Sequence, residues 1–402
     1  MSALQAATDT RFEQAETLPK LSIVMPCLNE AKTLPLCIEE AKAAILRLGI
    51  RCEIIVADNG STDGSIALAE AAGARVIRVT ERGYGAALAG GIRAARAPYV
   101  VFADCDGSYD FGESGRLLAK LEQGADLVIG TRFPSAGGRI APGAMPWLHR
   151  FVGTPALTLL FRLLYGVRIT DINAGMRGIR VQSFNALRIA ATGMEFSSEV
   201  PLQMNIRGFR IEEAPITLRK DGRDRPPHLR TWRDGWRHLC ILLLYSPRVL
   251  FLLPGAILAL LGTALLIALA PGVLRLGDVT LATNSRIVAS LMTLVGTQIL
   301  MLGAFAKYVA HGRGFIESRL RFLQTFRVFF GRWAIPLGTC LVLAGTAIVA
   351  HIFISWQETG FGQFIAERAD RFLAPAATLT VIGLQLIVGA FFAMLLDIVA
   401  RD

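Results

Sequence analysis

Two aspartates separated by one residue, Asp104 and Asp106, are the strongest chemical signal in this chain of 402 residues. Asp104 ends the run YVVFAD (99–104), which predicts a buried strand, and Asp106 lies two residues further along the chain. Two carboxylates at a strand end can grip one divalent ion through oxygen, and Mg²⁺ or Mn²⁺ held in this way can bridge a diphosphate. An isolated pair of this kind is a weak signal, so its weight depends on the segments that accompany it.

Three accompanying segments also fall where predicted strands end. VADNGSTDGS, residues 56–65, delivers acidic, amide and hydroxyl side chains into a turn that is followed by a helix. PCLNE, residues 26–30, places polar side chains where the first strand ends. RGYG, residues 82–85, contains two glycines that would let the backbone approach a phosphate at a helix N-terminus.

These motifs are positioned by a repeated strand and helix pattern in the first 228 residues. Short runs rich in β-branched residues predict buried parallel strands at 21–26, 53–58, 74–79, 99–104 and 126–131. Helical patterns lie between them at 33–48, 64–72, 85–97 and 112–123. The alternation predicts a parallel α/β sheet, in which ligands bind beyond the carboxyl ends of the strands. The acidic and glycine-rich motifs fall at those ends.

The chain is 53% hydrophobic, and the apolar excess lies in its C-terminal part. Four stretches are long enough to cross a bilayer as helices, near 249–270, 287–306, 333–355 and 375–399. The loop between the second and third stretches is strongly basic, so the positive-inside rule predicts that it is cytosolic. Counting spans from this loop places residues 1–248 in the cytosol of a bacterial inner (plasma) membrane protein, and residues 1–20 contain no secretory apolar region.

The remaining patterns complete the predicted domain plan. Residues 1–20 form a polar tail, 21–228 an α/β domain, 229–248 a basic juxtamembrane helix and 249–402 a transmembrane domain of four helices. Within the α/β domain, the apolar segment 144–165 is interrupted by glycine and proline and predicts interfacial helices lying on the bilayer.

Charge and cysteine content exclude several other classes of protein. The net charge is +10, and basic residues concentrate just before the first span. That position suits anionic lipid headgroups better than nucleic acid, because no aromatic-interleaved groove or helix-turn-helix pattern accompanies it. The six cysteines contain no C-x-x-C pair, which argues against a zinc site and a disulfide framework.

In this order and spacing, the segments resemble family 2 glycosyltransferases of the GT-A fold, in particular the dolichyl-phosphate mannose/glucose synthase group, over about residues 21–250. Further matches are GTR (130–132), TDINAGMR (170–177), GMEF (193–196) with Glu199, and the basic segment 219–225. The sequence departs from the family pattern at three places: Asn59 replaces a second aspartate, Arg82 replaces asparagine, and the glutamine usual after the D-x-D is replaced around Ser108.

The resemblance implies an inverting transfer of a hexose from a nucleotide-sugar donor to a polyprenyl phosphate at the cytosolic membrane face. It implies that Asp104 and Asp106 hold Mg²⁺ or Mn²⁺ on the donor diphosphate. The implied donor ligands are Pro26, Asn29, Glu30, Asp58, Asn59, Gly83, Gly85 and Asp104. The implied acceptor-phosphate ligands are Arg132, Arg177, Arg219, Arg223 and Arg225. The implied catalytic set is Asp104, Asp106, Arg132, Glu199, Arg223 and Arg225.

The donor preferred on this interpretation is UDP-glucose, with GDP-mannose and UDP-N-acetylhexosamine as alternatives. A polyprenyl phosphate oxygen is already ionised near neutral pH, so its attack needs no strong general base. Glu199 is therefore either a base or a helix residue that hydrogen-bonds the site and orients an arginine. The pattern leaves open whether the chain forms a homo-oligomer.

Two other functions are compatible with a nucleotide-sugar domain joined to membrane helices. A processive polysaccharide synthase would usually carry a Q-x-x-R-W motif, and the near match QTFRV (324–328) lacks the tryptophan. Alternatively, the helical part would move a lipid-linked sugar across the membrane while the α/β domain acts as a binding module. The intact D-x-D pair favours the transferase.

Overall fold

The computed structural model describes residues 18–223, 230–312, 320–358, 360–361 and 366–399. The chain divides into two compact units, Met1–Leu242 and Leu243–Asp402. We refer to the first as the α/β unit and to the second as the helical unit.

A seven-stranded sheet forms the centre of the α/β unit. Its strands are β1 (Leu21–Cys27), β2 (Cys52–Asp58), β3 (Arg75–Arg78), β4 (Tyr99–Phe102), β5 (Leu127–Thr131), β7 (Arg177–Arg180) and β8 (Ile211–Pro215). Their order is β3-β2-β1-β4-β7-β5-β8. A separate two-stranded sheet pairs β6 (Arg139–Ile140) with β9 (Thr217–Leu218). The five strands expected from the sequence are all present.

The sheet is mostly but not entirely parallel. β1 pairs in parallel with both β2 and β4, and β5 pairs in parallel with β8. β7 runs antiparallel to β4 on one side and to β5 on the other. The expectation of a parallel α/β sheet is therefore confirmed for most of the strands, and the antiparallel β7 is an exception that the sequence did not predict. All seven residues of β1 are buried, as a central strand covered on both faces requires.

Eight α-helices lie between Leu34 and Leu244 in the described residues, and the sequence pattern predicts the first four of them between strands. They are α1 (Leu34–Leu48), α2 (Ser65–Ala71), α3 (Tyr84–Arg93), α4 (Ser114–Glu122), α5 (Thr154–Tyr165), α6 (Val181–Asn185), α7 (Phe196–Ile206) and α8 (Thr231–Leu244). α3 ends at Arg93, earlier than the expected residue 97, and Pro98 follows. The residue before a proline is pushed out of the helical region, so the helix has to end upstream of it.

Among its described residues, the helical unit contains four helices that are long and apolar enough to cross a membrane. These candidate spans are Arg248–Leu269, Thr283–Gly312, Arg321–Glu358 and Arg371–Ile398. The α-helices of this unit are α9 (Leu253–Leu269), α10 (Thr283–Gly312), α11 (Leu320–Val328), α12 (Ala334–Glu358) and α13 (Ala366–Val399). A hairpin of β10 (Leu274–Leu276) and β11 (Val279–Leu281) connects α9 to α10. The four predicted spans are each contained in or closely matched by one of them.

Glycines allow neighbouring membrane helices to approach closely. A Cβ atom added to Gly296 of α10 would lie 2.3 Å from the backbone nitrogen of Ala259 in α9. A Cβ atom added to Gly383 of α13 would lie 2.5 Å from the carbonyl oxygen of Gly338 in α12. Small residues at such contacts are typical of helix pairs in lipid, because backbone proximity provides the packing there.

Three helices begin with a wide π-helical turn. These turns cover His149–Gly153 before α5, Arg248–Leu252 before α9, and Phe329–Trp333 between α11 and α12. The third turn joins the amphipathic α11 to the apolar α12 within one continuous helical rod, Arg321–Glu358. A π turn holds one residue more than an α turn, so the residues that follow it face a different direction.

Candidate active site

The acidic pair lies directly after β4, beside the end of β1. Asp106 is 3% exposed, and its Oδ1 accepts a hydrogen bond of 2.9 Å from the backbone N–H of Ser108. Asp104 is partly buried; burial and the neighbouring charge of Asp106 raise its pKa above the usual range of a carboxyl. The negative charge of Asp106 acts on Asp104, so the two carboxylates form one electrostatic unit, and a cation bound between them would stabilise both charges.

Arg223 supplies positive charge to this unit. Its Nη2 lies 2.5 Å from Asp106 Oδ2, its Nη1 lies 3.5 Å from Glu30 Oε1, and its Nε lies 3.2 Å from Asp221 Oδ2. The backbone N–H of Gly222 donates to the carbonyl of Asp106 at 2.8 Å, which anchors the basic segment on the acidic loop. The structure therefore brings together three of the predicted residues, Glu30, Asp106 and Arg223.

The chemistry and shape of this place fit a divalent cation. A Cβ atom at Gly175 would lie 2.9 Å from Asp104 Oδ2, so glycine leaves room for the carboxylate. Among the described residues, no group of three or more His, Cys, Asp or Glu side chains could hold a metal ion. Mg²⁺ is commonly bound by one or two carboxylates together with substrate phosphates and water. A site built on Asp104 and Asp106 belongs to that type.

The loops after β1 and β2 are hydrogen-bonded to each other beside the acidic pair. The backbone N–H of Asn29 donates to Ser61 Oγ at 2.9 Å, and Asn29 Oδ1 accepts from the N–H of Thr62 at 2.8 Å. Asn29 has a positive φ of 58°, which asparagine tolerates better than most residues. The carbonyl of Pro26, near the end of β1, accepts a hydrogen bond from Cys105 Sγ at 3.1 Å, so this strand end also contacts the D-x-D segment.

Asp58 and Asn59 organise backbone in this structure. The carboxylate of Asp58 accepts the N–H groups of Gly60 and Ser61 at 3.0 and 3.2 Å and so closes its own turn. Asn59 Nδ2 donates to the carbonyl of Glu81 at 2.7 Å, and its Oδ1 accepts from the N–H of Gly83 at 2.7 Å. These two residues shape the edge of the cleft where the sequence placed a nucleotide.

The two glycines of the RGYG segment make room for protein backbone. A Cβ atom at Gly83, whose φ is 137°, would lie 2.1 Å from the carbonyl oxygen of Thr192. A Cβ atom at Gly85 would lie 2.7 Å from the carbonyl oxygen of Ala191. Residues 191–193 pack against both glycines, so close packing of protein backbone accounts for glycine at these positions, and their approach to a phosphate stays a prediction.

Two of the predicted phosphate-binding arginines are buried in structural contacts. Arg132 is 8% exposed and forms a two-point ion pair with Asp171, with distances of 2.6 Å from Nε to Oδ2 and 2.8 Å from Nη2 to Oδ1. Arg177 is 1% exposed and donates to the carbonyl oxygens of Ile172, Ala174 and Ser197. Burial lowers the pKa of Arg177 to about 10. In this structure neither guanidinium is available to an acceptor phosphate.

The other predicted residues fall into three situations. Arg219 contacts Glu40 at 2.6 Å and also Asp110, so it lies between two carboxylates at the edge of the cleft. Arg225 lies outside the described residues. Glu199 is 0% exposed and accepts the backbone N–H of Ala191 at 2.7 Å, which does not place it as a base at the site.

Two aromatic residues that the sequence analysis did not single out lie against the acidic pair. Tyr84 lies beside Asp104, and burial together with the negative charge of Asp104 raises the pKa of Tyr84. The Tyr109 hydroxyl accepts the backbone N–H of Gly175 at 2.7 Å. Tyr84 lies between the two glycines of RGYG. The glycines indicate a helix start, but the sequence does not show which residue Tyr84 contacts.

Comparison with known proteins matches both parts of the chain to one family. Residues 22–187 match the description "Glycosyl transferase family 2", and residues 304–397 match "Glycosyltransferase family 2 C-terminal transmembrane region". The low-salt glycan biosynthesis hexosyltransferase Agl6 of Haloferax volcanii is 34% identical over 396 residues, which cover 96% of this chain and 93% of that protein.

A shorter relative and a solved structure resemble the α/β unit. A dolichyl-phosphate hexose transferase of Haloferax volcanii is 33% identical over 208 residues, 51% of this chain and 85% of that protein. The crystal structure of glucosyl-3-phosphoglycerate synthase from Mycobacterium tuberculosis, in complex with Mn²⁺, UDP and glucosyl-3-phosphoglycerate, has a TM-score of 0.46 at 23% identity and covers 59% of this chain and 83% of that chain. Because the Agl6 alignment extends over nearly all of both proteins, this chain belongs to glycosyltransferase family 2, as an integral membrane enzyme with an α/β unit and a C-terminal transmembrane region.

Proposed function

We propose that this glycosyltransferase transfers a hexose from a nucleotide-sugar donor to a polyprenyl phosphate at the cytosolic face of the membrane. The observation that carries the proposal is the contact of Arg223 with Asp106 and Glu30 in a chain whose described residues also include four candidate spans. There the carboxylates that would bind the metal ion and the donor diphosphate contact an arginine that would bind the anionic acceptor. The relative named dolichyl-phosphate hexose transferase supports the same chemistry.

The acidic pair serves the donor. Asp104 and Asp106 would hold Mg²⁺ or Mn²⁺, which when bound neutralises charge on the leaving nucleotide diphosphate. The loops of Asn29, Asp58 and Asn59 form the neighbouring edge, where the base and ribose would lie. UDP-glucose is the first donor to test, followed by GDP-mannose and UDP-N-acetylhexosamine.

The basic segment serves the acceptor. Arg223 is only 16% exposed, and its guanidinium can form two-point contacts with a phosphate as well as with a carboxylate. A phosphate oxygen of the lipid would attack the anomeric carbon while the bond from that carbon to the donor diphosphate breaks on the opposite face. In-line displacement inverts the configuration, and orientation and charge stabilisation provide the catalysis without a strong base.

Two amphipathic helices of the α/β unit support membrane contact near the acceptor. His149 Nε2 lies 3.1 Å from Thr231 Oγ1, and the Tyr165 hydroxyl donates to the carbonyl of Leu242 at 2.5 Å, so α5 and α8 run side by side. The exposed large apolar side chains of 144–165 and of α8 are Trp147, Leu148, Phe151, Val152, Leu159, Leu163, Trp232, Trp236 and Leu244. Exposed tryptophans with basic neighbours are typical of helices lying at a bilayer surface. The cytosolic orientation follows from the basic residues 307–332 under the positive-inside rule.

The proposal is tested with the purified full-length protein in detergent. The protein is incubated with polyprenyl phosphate, Mn²⁺ or Mg²⁺ and each nucleotide sugar in turn, and the lipid product is analysed by mass spectrometry. A lipid whose mass rises by one hexose supports the proposal and identifies the donor. A glycan polymer, or transport of a lipid-linked sugar without any transfer, would contradict it.

A further inference from the structure

Glu199 is a fully buried carboxylate that the proposed chemistry does not use. It lies in the first turn of α7, and its Oε2 accepts the backbone N–H of Ala191 at 2.7 Å and that of Ala190 at 3.1 Å. Gln203, one turn further along α7, donates to Glu199 Oε1 at 3.1 Å. A carboxylate that accepts several N–H groups fixes the backbone that supplies them. Here that backbone is the loop 190–193.

The loop 190–193 in turn packs against the start of α3. The carbonyl oxygen of Thr192 accepts the N–H of Ala86 at 3.1 Å, one of the N–H groups in the first turn of α3. The same carbonyl lies where a Cβ atom of Gly83 would be, and the carbonyls of Ala191 and Gly193 lie where a Cβ atom of Gly85 would be. The fit leaves no room for a side chain, so a displacement of the loop displaces the helix start.

The start of α3 connects the two halves of the candidate site. Its first residue, Tyr84, lies beside Asp104, whose negative charge acts on the Tyr84 hydroxyl. The preceding Gly83 donates from its backbone N–H to Asn59 Oδ1, on the loop where the nucleotide is proposed to lie. A rigid helix start therefore fixes the position of the metal-binding carboxylate relative to the nucleotide loop.

We propose that Glu199 is a positioning residue: it braces the loop 190–193 against the start of α3 and so holds Tyr84 and Asp104 in the geometry that binds the metal ion. The part of this inference that names the metal rests on the proposed function, whereas the brace itself does not. Glu199 touches neither donor nor acceptor in this role.

The test compares Glu199→Gln with a matched control at the other end of the sheet. Asp126 immediately precedes β5 and accepts the backbone N–H of Arg210 at 3.0 Å and the Ser183 hydroxyl at 2.6 Å. Asp126→Asn thus weakens a similar carboxylate contact at the amino end of a strand. Gln203→Met is a milder second change to the brace, which keeps the test usable if Glu199→Gln folds poorly.

Two readouts are measured on the full-length protein in detergent. Amide hydrogen exchange of the peptide covering 83–90 reports the brace without any ligand, and calorimetric titration with Mn²⁺ alone reports the metal site. We expect Glu199→Gln and Gln203→Met to increase exchange at the start of α3 and to weaken Mn²⁺ binding by about tenfold and about threefold, in line with losses on disturbing residues that support metal ligands. Asp126→Asn should leave both readouts unchanged even where it lowers the melting temperature.

The outcomes separate the inference from the proposed function. Unchanged exchange in α3 overturns the brace, and increased exchange with unchanged Mn²⁺ affinity overturns the positioning of Asp104. Equal effects from Asp126→Asn overturn both, because they reflect general destabilisation. Failure of the wild-type protein to bind Mn²⁺ contradicts the proposed function and the metal part of the inference, while the exchange data still decide the brace.

Discussion

The α/β unit and the helical unit bury polar groups in different ways. The α/β unit buries ions as pairs or networks, as in the contact between Arg132 and Asp171. In the helical unit, the hydroxyls of Thr293, Thr378 and Thr380 each donate to a carbonyl four residues earlier in their own helix. Lipid offers no water to a polar group, so a spanning helix satisfies its hydroxyls internally, whereas a cleft beside water can keep the charges that chemistry needs.

Charges in the helical unit lie near the ends of its helices. Arg327, near the end of α11, contacts Asp397 at 3.1 Å close to the end of α13. Arg286, near the start of α10, donates to the carbonyl of Leu269 at the end of α9. Changes to buried polar groups should therefore have large effects in the α/β unit and small effects in the middle of the spans.

The largest effect is expected from the acidic pair. Asp104→Asn or Asp106→Asn should lower sugar transfer by about 10⁴-fold, because several kcal/mol of charge stabilisation in the transition state would be lost. The rate is measured as radiolabelled sugar transferred to lipid, at saturating donor and metal. Circular dichroism provides the control for folding. Activity within tenfold of the wild type would show that these acids do not serve the reaction.

A second prediction concerns stability. Arg132→Met should lower the free energy of unfolding by about 3–5 kcal/mol, because it leaves the fully buried Asp171 carboxylate without its partner. Lys42→Met is the matched control; it removes an exposed ion pair with Glu39 and should cost at most about 1 kcal/mol. Denaturant unfolding in detergent measures both. Similar losses in the two variants would contradict the distinction between buried and exposed pairs.

A third prediction is a dependence of stability on pH. His238 in α8 is 6% exposed, its Nδ1 lies 2.8 Å from Ser198 Oγ, and burial lowers its pKa to about 4. As the pH falls below about 6.5, His238 takes up a proton in the unfolded chain but stays neutral in the folded chain. The free energy of unfolding therefore falls between pH 6.5 and 4 by up to about 3 kcal/mol.

His238→Asn is the variant that isolates this contribution. Asparagine can keep a hydrogen bond to Ser198 but does not titrate, so the variant should lose less stability than the wild type between pH 7 and 4.5. The measurement is the difference between the two denaturant midpoints at each pH. A difference that stays constant across the range would contradict the prediction.

The smallest effect is expected in the spans. Thr293 is 4% exposed, and its hydroxyl donates to the carbonyl of Ala289 at 2.9 Å within the same helix. Thr293→Val keeps the side-chain shape and should change stability by about 0.6 kcal/mol or less, as is usual for hydrogen bonds in membrane helices. Thermal unfolding in detergent provides the measurement. A loss comparable to that of Arg132→Met would remove the contrast between the two units.

Much of the fold was predictable because its signals are local. β1, β2 and β5 are short apolar runs, and the sequence placed their starts within one residue of the observed positions. β7 was not anticipated, because its sequence RGIR has an arginine at each end and reads as a loop. Its identity depends on antiparallel pairing with strands distant in sequence, and burial of Arg177 depends on three carbonyl acceptors that no local pattern reveals.

The sequence indicated the acids of the candidate site more directly than the partners of its arginines and glycines. Asp104 and Asp106 stand out because polar segments at 26–30, 56–65 and 82–85 accompany them, whereas an isolated D-x-D is a weak signal. Arg132 and Arg223 look alike in sequence, yet one is held by Asp171 and the other lies at the acidic pair. Gly83 signals a close approach correctly, but only the three-dimensional structure shows that the approaching group is the carbonyl of Thr192.

The number of residues in the wide turn Phe329–Trp333 sets how the surface of α11 is oriented relative to that of α12. An α-helix turns by about 100° per residue, so deleting one residue from this turn would rotate the basic, aromatic face of α11 by about that angle relative to the spanning α12. The arginines of α11 would then face a different side of the rod, although no side chain of α11 had changed. The length of this junction therefore sets which side of the rod the basic face of α11 occupies.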